Sequence, residues 1–572
     1  MADVATVMPR ELRLGAPPTM PQARSYLFRQ QSTLAGYAPG TTITINIPRL
    51  QRSYLRKDSY LRFTVDVSAS AAGRMALDTA GAFGFFEKIE VFDYLGSTVL
   101  ESISGVPQLA ALLLDLGLES QLSNSTGNTA AGLGPEVATQ FYATRPWLAT
   151  RGATPTPTTA QIANVGFDLQ IRPASSGREI EVLPVAQDVN DNVATVEFAI
   201  PWLSFLGLLS KKFVPLHNGF TIVLTVAATN TPMYYYVNQS PQVAIPVSNT
   251  AVNGAAATPS YPTTDITLSW ALRDVYADCQ VLELGPEAEA MLLTSTQGQP
   301  LICHTKSFRN YTTSVAGPTW DAFPGGSAAI TGPTKTGPSE FNMNLNLNVA
   351  SLTNILWFMR SQDNISAMRR QSIGDRTRNF LQRWHFQYGS STLPQSNGVQ
   401  AMSTTLPTLA GYTTTAVQMY PVHAAGFTEC FQELMKSRYF SPAANRFNYV
   451  MYAWDAKFNA LLDPRVAAGA AAAQTETTCI TAINALYSYL PWPTSPFGVG
   501  KFACGLNLEL CSGKEGEIIC GLNTNGMNTS IRGFFHPNYT DYMDPAGVRV
   551  DAFAEYDAFV NISPGIASTV SF

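Results

Sequence analysis

Basic side chains crowd the start of the chain. Arg10, Arg13, Arg24, Arg29, Arg49, Arg52, Arg56 and Lys57 stand against a single acid, Glu11, between Pro9 and Lys57. Guanidinium and ammonium groups at that density are the residue types that grip phosphate. A solvated arm forming salt bridges to a neighbouring subunit uses the same residues and is the plainer reading. The chain as a whole carries a net charge of −5, so polyanion contact would belong to this stretch and not to the whole surface.

Elsewhere the chemical templates are incomplete. G-V-G-K-F (498–502) begins like a phosphate-binding loop. Phe502, however, takes the place of the Ser or Thr that reaches magnesium, and Ser495 stands where the upstream glycine belongs. D-V-N-D-N-V (188–193) opens like a calcium loop, yet Val193 fills the glycine position and Ala199 that of the bidentate glutamate. The five histidines (His217, His304, His385, His423 and His536) include no close pair. The seven cysteines lack the short paired spacings of a zinc site or a disulfide framework and read as reduced, structural thiols of a cytosolic or nuclear protein. Two carboxylates meeting from distant strands would suit glycoside hydrolysis, but nothing singles out a pair. These residues indicate no catalytic centre, no cofactor and no metal. The N-terminus has no apolar signal core, and no apolar run of 18 or more residues offers a membrane span.

The elements that must position any site are mostly strands. F-N-M-N-L-N-L-N-V (341–349) alternates apolar side chains with asparagines, which lines one face of an extended segment with Phe341, Met343, Leu345, Leu347 and Val349 and leaves the other face neutral. Ile43, Ile45 and Ile47 alternate in the same way, as do Leu61, Phe63, Val65 and Val67. Further strand-like runs lie at 85–93, 196–200, 220–226, 266–272, 301–305, 355–359, 447–452, 504–510, 517–522 and 557–562. Many strands joined by turn-rich connections indicate sandwiches or barrels. Short helices are expected at 286–293, where Pro stands first and acids follow, at 201–209 and at 375–382. Thr-, Ala- and Pro-rich connections fill 119–165, 238–265 and 464–478.

The two halves echo each other. Y-A-D-C-Q-V-L-E-L-G-P (276–286) and E-Y-D-A-F-V-N-I-S-P-G (555–565) each run from an acidic-aromatic lead through a β run to a Pro/Gly stop. L-R-F-T-V-D-V followed by F-F-E-K-I-E-V-F matches F-N-M-N-L-N-L-N-V followed by N-I-L-W-F-M. The expected organisation is an all-β chain of two tandem sandwiches: an N-terminal arm over 1–40, a first sandwich over 41–285, a link over 286–299 and a second sandwich over 300–572.

Only 13% of the residues are charged, about half the usual share. Covering an amide or hydroxyl with a neighbour costs far less than covering an unpaired charge, so such a surface suits a protein whose flanks are pressed against other subunits.

The order of features resembles the double jelly-roll major capsid proteins of double-stranded DNA viruses, most closely those of virophages and polinton-like viruses. V-L-E-L-G-P-E-A-E-A-M-L-L-T-S-T-Q-G-Q-P-L-I (281–302) resembles the family's link between jelly rolls. N-I-L-W-F-M-R (354–360) resembles the Trp-containing strand early in the second roll, F-F-E-K-I-E-V-F-D-Y-L-G-S-T-V-L-E (85–101) its counterpart in the first, and R-V-D-A-F-A-E-Y-D-A-F-V-N-I (549–562) the final strand. The resemblance implies two eight-stranded jelly rolls and a non-enzymatic subunit of a virion capsid. It also implies a homotrimer of pseudo-hexagonal outline tiling an icosahedral shell, with neighbouring capsomers, minor capsid and penton proteins as partners. The basic run from Arg10 to Lys57 would then face the interior, where packaged DNA is a further partner. A multi-domain β-sandwich carbohydrate-binding protein or glycosidase is the alternative.

Overall fold

The computed structural model describes residues 23–69, 73–117, 131, 179–184, 192–201, 213–236, 268–295, 299–320, 335–362, 372–395, 397–402, 427–437, 452, 501–509, 521–537, 543, 547–563, 566 and 568–572. Arg10, Arg13, the runs 202–209, 447–451 and 517–520, and the three long connections apart from Ala131 lie outside them.

Sixteen strands form the frame. The first half holds β1 (Arg24–Gln31), β2 (Thr42–Ile47), β3 (Tyr60–Ala69), β4 (Phe86–Asp93), β5 (Val99–Ser104), β6 (Asn192–Ile200), β7 (Phe220–Val226) and β8 (Leu268–Glu283). The second holds β9 (Leu301–Val315), β10 (Glu340–Leu345), β11 (Leu352–Ser361), β12 (Leu381–Tyr388), β13 (Ser391–Leu393), β14 (Cys504–Asn507), β15 (Thr529–Phe535) and β16 (Val548–Ile562). Hydrogen bonding orders the first half as β1-β8-β3-β6 in one sheet and β2-β7-β4-β5 in the other. The second half is ordered β9-β16-β11-β14 and β10-β15-β12-β13. Each strand of the second half thus occupies the place of the strand eight earlier. Eight antiparallel strands wound in this order into two facing sheets make a jelly roll, and the chain contains two. Helix α1 (Val106–Gly117) follows β5, α2 (Pro286–Ser295) joins the rolls, and α3 (Phe427–Lys436) lies between β13 and β14.

Alternation builds each core. Leu61, Phe63, Val65 and Val67 of β3 face Ile89 and Val91 of β4 and Ile222 and Leu224 of β7, all buried. The Phe63 ring meets Phe86 of the opposite sheet at 5.2 Å and Phe198 of its own at 6.0 Å. In the second roll β10 alternates as expected, Phe341, Met343 and Leu345 inward and Asn342 and Asn344 outward. The alternation persists through Leu347 and Val349 beyond the paired strand. Trp357 of β11 sets its edge against Trp384 of β12 and Phe341 of β10, each 5.4 Å away, and so joins the two sheets.

Phe341 lies where its cross-strand partner has no side chain. It pairs with Gly533 of β15, and a Cβ there would come within 2.2 Å of Phe341 Cε1. Gly533→Ala is therefore expected to destabilise the second roll by roughly 1–3 kcal/mol, as overpacking does in a filled core. A lowered thermal midpoint, partly restored by Phe341→Leu in the same chain, is the measurement.

Three expectations change. Arg24–Gln31, assigned to an arm, is a strand hydrogen-bonded along its length to β8, so folded structure begins before residue 41. The segment 375–382 is not helical: Arg376–Thr377 is a short strand, Asn379 and Phe380 take positive φ (44° and 61°), and β12 follows. Buried Arg376 and Arg378 commit this segment to tertiary contacts that override its helical composition. The internal match was one strand out of step. Leu61–Val67 and 85–92 are the third and fourth strands of their roll, whereas Phe341–Val349 and 354–359 hold the second and third places. An alternating pattern states which face is buried, not the strand's rank. The matched runs ending at Pro286 and Pro564 do contain equivalent strands, β8 and β16.

Antiparallel winding sorts the strand ends into two rims. At one rim Ala69 lies opposite both Asn192 and Leu268, and Val226 opposite Phe86. The strand ends that bracket 105–191 and 227–267 share this rim. Asp78, between β3 and β4, accepts the backbone N–H groups of Ile373 and Gly374, from the equivalent connection of the second roll, at 2.9 and 3.1 Å. At the other rim the Asn218 amide, between β6 and β7, donates to the carbonyls of Ser563 and Ile566 beyond β16, at 2.8 and 2.7 Å. The two rolls therefore stand side by side with like ends together.

Candidate functional site

The basic stretch is largely tied into the first roll. Arg24 Nε reaches Glu283 Oε2 at 2.6 Å, and Arg52 stands 3.8 Å from the same carboxylate. Arg29 Nε meets Asp278 Oδ1 at 2.7 Å, and Arg62 approaches the second oxygen at 3.3 Å. Asp278 is fully buried, so its charge requires those partners. Arg56 pairs with Asp58 and donates to Ser25 Oγ. Arg49 donates to the Asn218 carbonyl and lies over the Tyr94 ring at 4.7 Å. Lys57 is exposed. Acids from β8, more than two hundred residues downstream, thus neutralise much of what reads as an unbalanced run. The six described members gather at the rim where β1 begins and β8 ends.

At that rim α2 is clasped to the first roll. Glu289 in its first turn receives Tyr54 Oη–H at 3.1 Å and lies 2.5 Å from His217 Nε2. Burial, together with the Glu289 carboxylate, pushes the Tyr54 phenol well above its ordinary range.

The strongest electrostatics lie between the rolls. All ten residues of β11 are buried, because its sandwich face packs on Trp384 while its other face is also covered. Both rolls supply acids, and the second supplies the cations Arg360, Arg376, Lys501 and Arg549. Asp115 on α1 holds Arg376 Nη2 at 2.6 Å and Lys501 Nζ at 3.2 Å, both cations fully buried. Arg360 of β11 donates through Nε to Asp551 of β16 at 2.8 Å, its Nη2 lies 2.8 Å from the same oxygen as an ion pair, and Arg549 meets the other oxygen at 3.0 Å. Glu101 of β5 accepts the Ser307 hydroxyl of β9 at 2.7 Å. Burying charges costs several kcal/mol per ion unless each is matched, and in the Asp115 group the partners come from opposite rolls. Separation of the rolls would strand them.

Glu87 of β4 lies in this seam. Burial raises its carboxyl above the ordinary value; Arg549 and Arg360 pull it back, and Asp551 adds to the rise. A carboxyl raised on folding binds more protons folded than unfolded, so stability falls as pH rises from the unfolded toward the folded pKa. Glu87→Gln is expected to raise the thermal midpoint at pH 7–8, with the gain shrinking as pH falls toward the ordinary carboxyl range. Paired thermal scans across that range test this.

Asp115, Arg376 and Lys501 were absent from the candidates because each looks ordinary in its own neighbourhood and only the fold unites them. Among the described residues no cluster of three or more His, Cys, Asp or Glu has metal-binding geometry, and no helix is long and apolar enough to cross a membrane.

No protein-family profile matches the chain, and no curated protein matches it by sequence. Solved structures do align along its length. The mavirus major capsid protein aligns at 9% identity with a TM-score of 0.49, covering 100% of this chain and 95% of that one. The Sputnik virophage structure aligns at 11% and 0.47, covering 99% and 92%. The Faustovirus major capsid protein aligns at 9% and 0.44, covering 98% and 94%. The fold assignment rests on the hydrogen-bonded order of the chain's own strands, which repeats with a period of eight: this is a double jelly-roll protein.

Proposed function

We propose that the chain is a major capsid protein, a non-enzymatic subunit that trimerises into pseudo-hexagonal capsomers and tiles an icosahedral virion shell around double-stranded DNA. A single jelly roll does not decide function, since lectins and cupins use it too. The observation that carries the reading is the repeat of the complete roll, like ends together, with buried ion pairs across the seam. Two sandwiches so joined form one upright block, and three such blocks close a six-lobed ring. The role is the one named for the mavirus and Faustovirus proteins. The outward Asn342 and Asn344 of β10 favour the same reading, because amides are covered by another subunit at lower cost than unpaired charge, and the neighbouring Glu340 is already matched by Arg532. Neighbouring capsomers, minor capsid proteins and penton proteins are the partners, and the assembled virion is the location.

Light scattering with negative-stain imaging of the purified protein tests it. Stable trimers with a threefold, six-lobed outline are expected; a monodisperse monomer overturns the reading. The N-terminal residues, with Arg10 and Arg13, are proposed to face the shell interior and touch packaged DNA. Deleting residues 1–22 is then expected to weaken DNA retention and flatten its dependence on salt, as loss of phosphate contacts does. Equal retention by both forms at low salt removes the genome contact.

A further inference from the structure

Two thiols meet where α3 covers the second roll. Cys430 of α3 and Cys504, first residue of β14, are both fully buried, and their sulfurs lie 3.5 Å apart as free thiols. The elements that carry them are pressed tightly together. A Cβ on Gly505 would come within 2.7 Å of Ser437 Oγ and 2.9 Å of Leu434 Cδ1, so glycine here lets α3 lie against β14 without a side chain displaced between them. From this contact the sulfurs need to close by about 1.5 Å to reach disulfide bonding distance, a displacement on the scale of side-chain rotation.

We propose that Cys430 and Cys504 are a latent cross-link, a modification site at which a small peroxide closes a disulfide between α3 and β14. The Cys430 thiolate attacks one peroxide oxygen, the O–O bond breaks, and the departing hydroxide takes up a proton as water, which leaves a sulfenic acid. The Cys504 sulfur then attacks the Cys430 sulfur. The S–S bond forms, the S–O bond breaks, and the hydroxyl leaves with the Cys504 proton as a second water. Two thiols are oxidised and one peroxide is reduced.

The site divides the two roles unequally. Burial pushes the Cys430 thiol up, but hydrogen bonds, that from Cys504 foremost, outweigh it and set the thiol below its ordinary range; burial drives Cys504 well above. With Cys430 as the attacking sulfur and Cys504 as the resolving one, or with the roles exchanged, the cross-link formed is the same. Because the pair is buried, a molecule as small as hydrogen peroxide fits the step better than a bulky disulfide. The inference goes beyond the capsid reading and does not depend on it.

The full-length protein, incubated with hydrogen peroxide or with dithiothreitol, is unfolded in an alkylating reagent and digested for mass spectrometry. A peptide pair joined through Cys430 and Cys504 is expected after peroxide only, 2 Da lighter than the reduced peptides combined. The thermal midpoint of the oxidised wild type should rise by several degrees, and in Cys430→Ser and Cys504→Ser variants it should not. Full alkylation of both cysteines after peroxide, their separate oxidation to sulfinic acid, or links to other cysteines instead would each overturn the proposal. The wild-type peptide result decides even if a serine variant fails to fold.

Discussion

Asp115→Ala is expected to destabilise the protein by about 3–5 kcal/mol, the cost of stripping a buried ion group of one partner. The carboxylate is the meeting point of Arg376 Nη2 and Lys501 Nζ, and neither cation has any exposure to water. Arg376 also donates to the Lys501 carbonyl and lies over the Phe358 ring, so it cannot swing out to solvent without breaking both contacts. Removing the acid therefore leaves positive charge confined in the seam. Denaturant midpoints measure the loss, and limited proteolysis should show cleavage near α1 that the wild type resists. Asp115→Asn keeps the shape but not the charge and should recover little. Lys501→Met added to Asp115→Ala should recover part, because it removes one stranded cation. An Asp115→Ala protein as stable as wild type would show that the seam is not held by charge.

Trp357→Ala is expected to cost a similar amount, roughly 3–5 kcal/mol, by a different route. The indole is fully buried and touches Trp384 and Phe341 edge-on, so its loss opens a cavity between the two sheets of the second roll. Trp357→Phe should cost clearly less, since most of the volume stays. The two variants separate by location. Loss of Trp357 should loosen the second roll and leave the first intact, whereas loss of Asp115 should loosen the contact between them. Hydrogen exchange resolved along the sequence distinguishes the two.

How far these features could be read in advance depended on whether the signal was local. The alternation of Leu61–Val67 and of Phe341–Val349 is local, and both segments bury the apolar residues read from it, while 220–226 forms the strand its composition suggests. Helix α2 announced itself with Pro286 and two acids in its first turn. By contrast α1, V-P-Q-L-A-A-L-L-L-D-L-G, is apolar on nearly every side and offers little helical periodicity, because it is covered on all sides in the fold. Asp115 closes that helix and would read as an ordinary polar end residue. Its partners lie 261 residues and more away, on segments whose own composition says helix or phosphate loop. The Lys501 of G-V-G-K-F is a seam cation bound to Asp115. The basic run was visible but its neutralisation was not, because Asp278 and Glu283 become neighbours only when β1 pairs with β8.

The sorting of strand ends sets where the protein can grow. The described strand ends before and after 105–191 and 227–267 stand at the rim marked by Ala69, Asn192 and Leu268, and 464–478 falls in the sequence interval of the second roll that corresponds to 105–191. The linking helix and the Asn218 contact with the chain's end occupy the opposite rim. Length can thus accumulate, diverge or be exchanged on one side of the molecule while the joints on the other keep their geometry. An antigen or affinity tag inserted between β7 and β8 is bracketed by strand ends at that rim and leaves the Asn218 and Glu289 contacts at the other untouched.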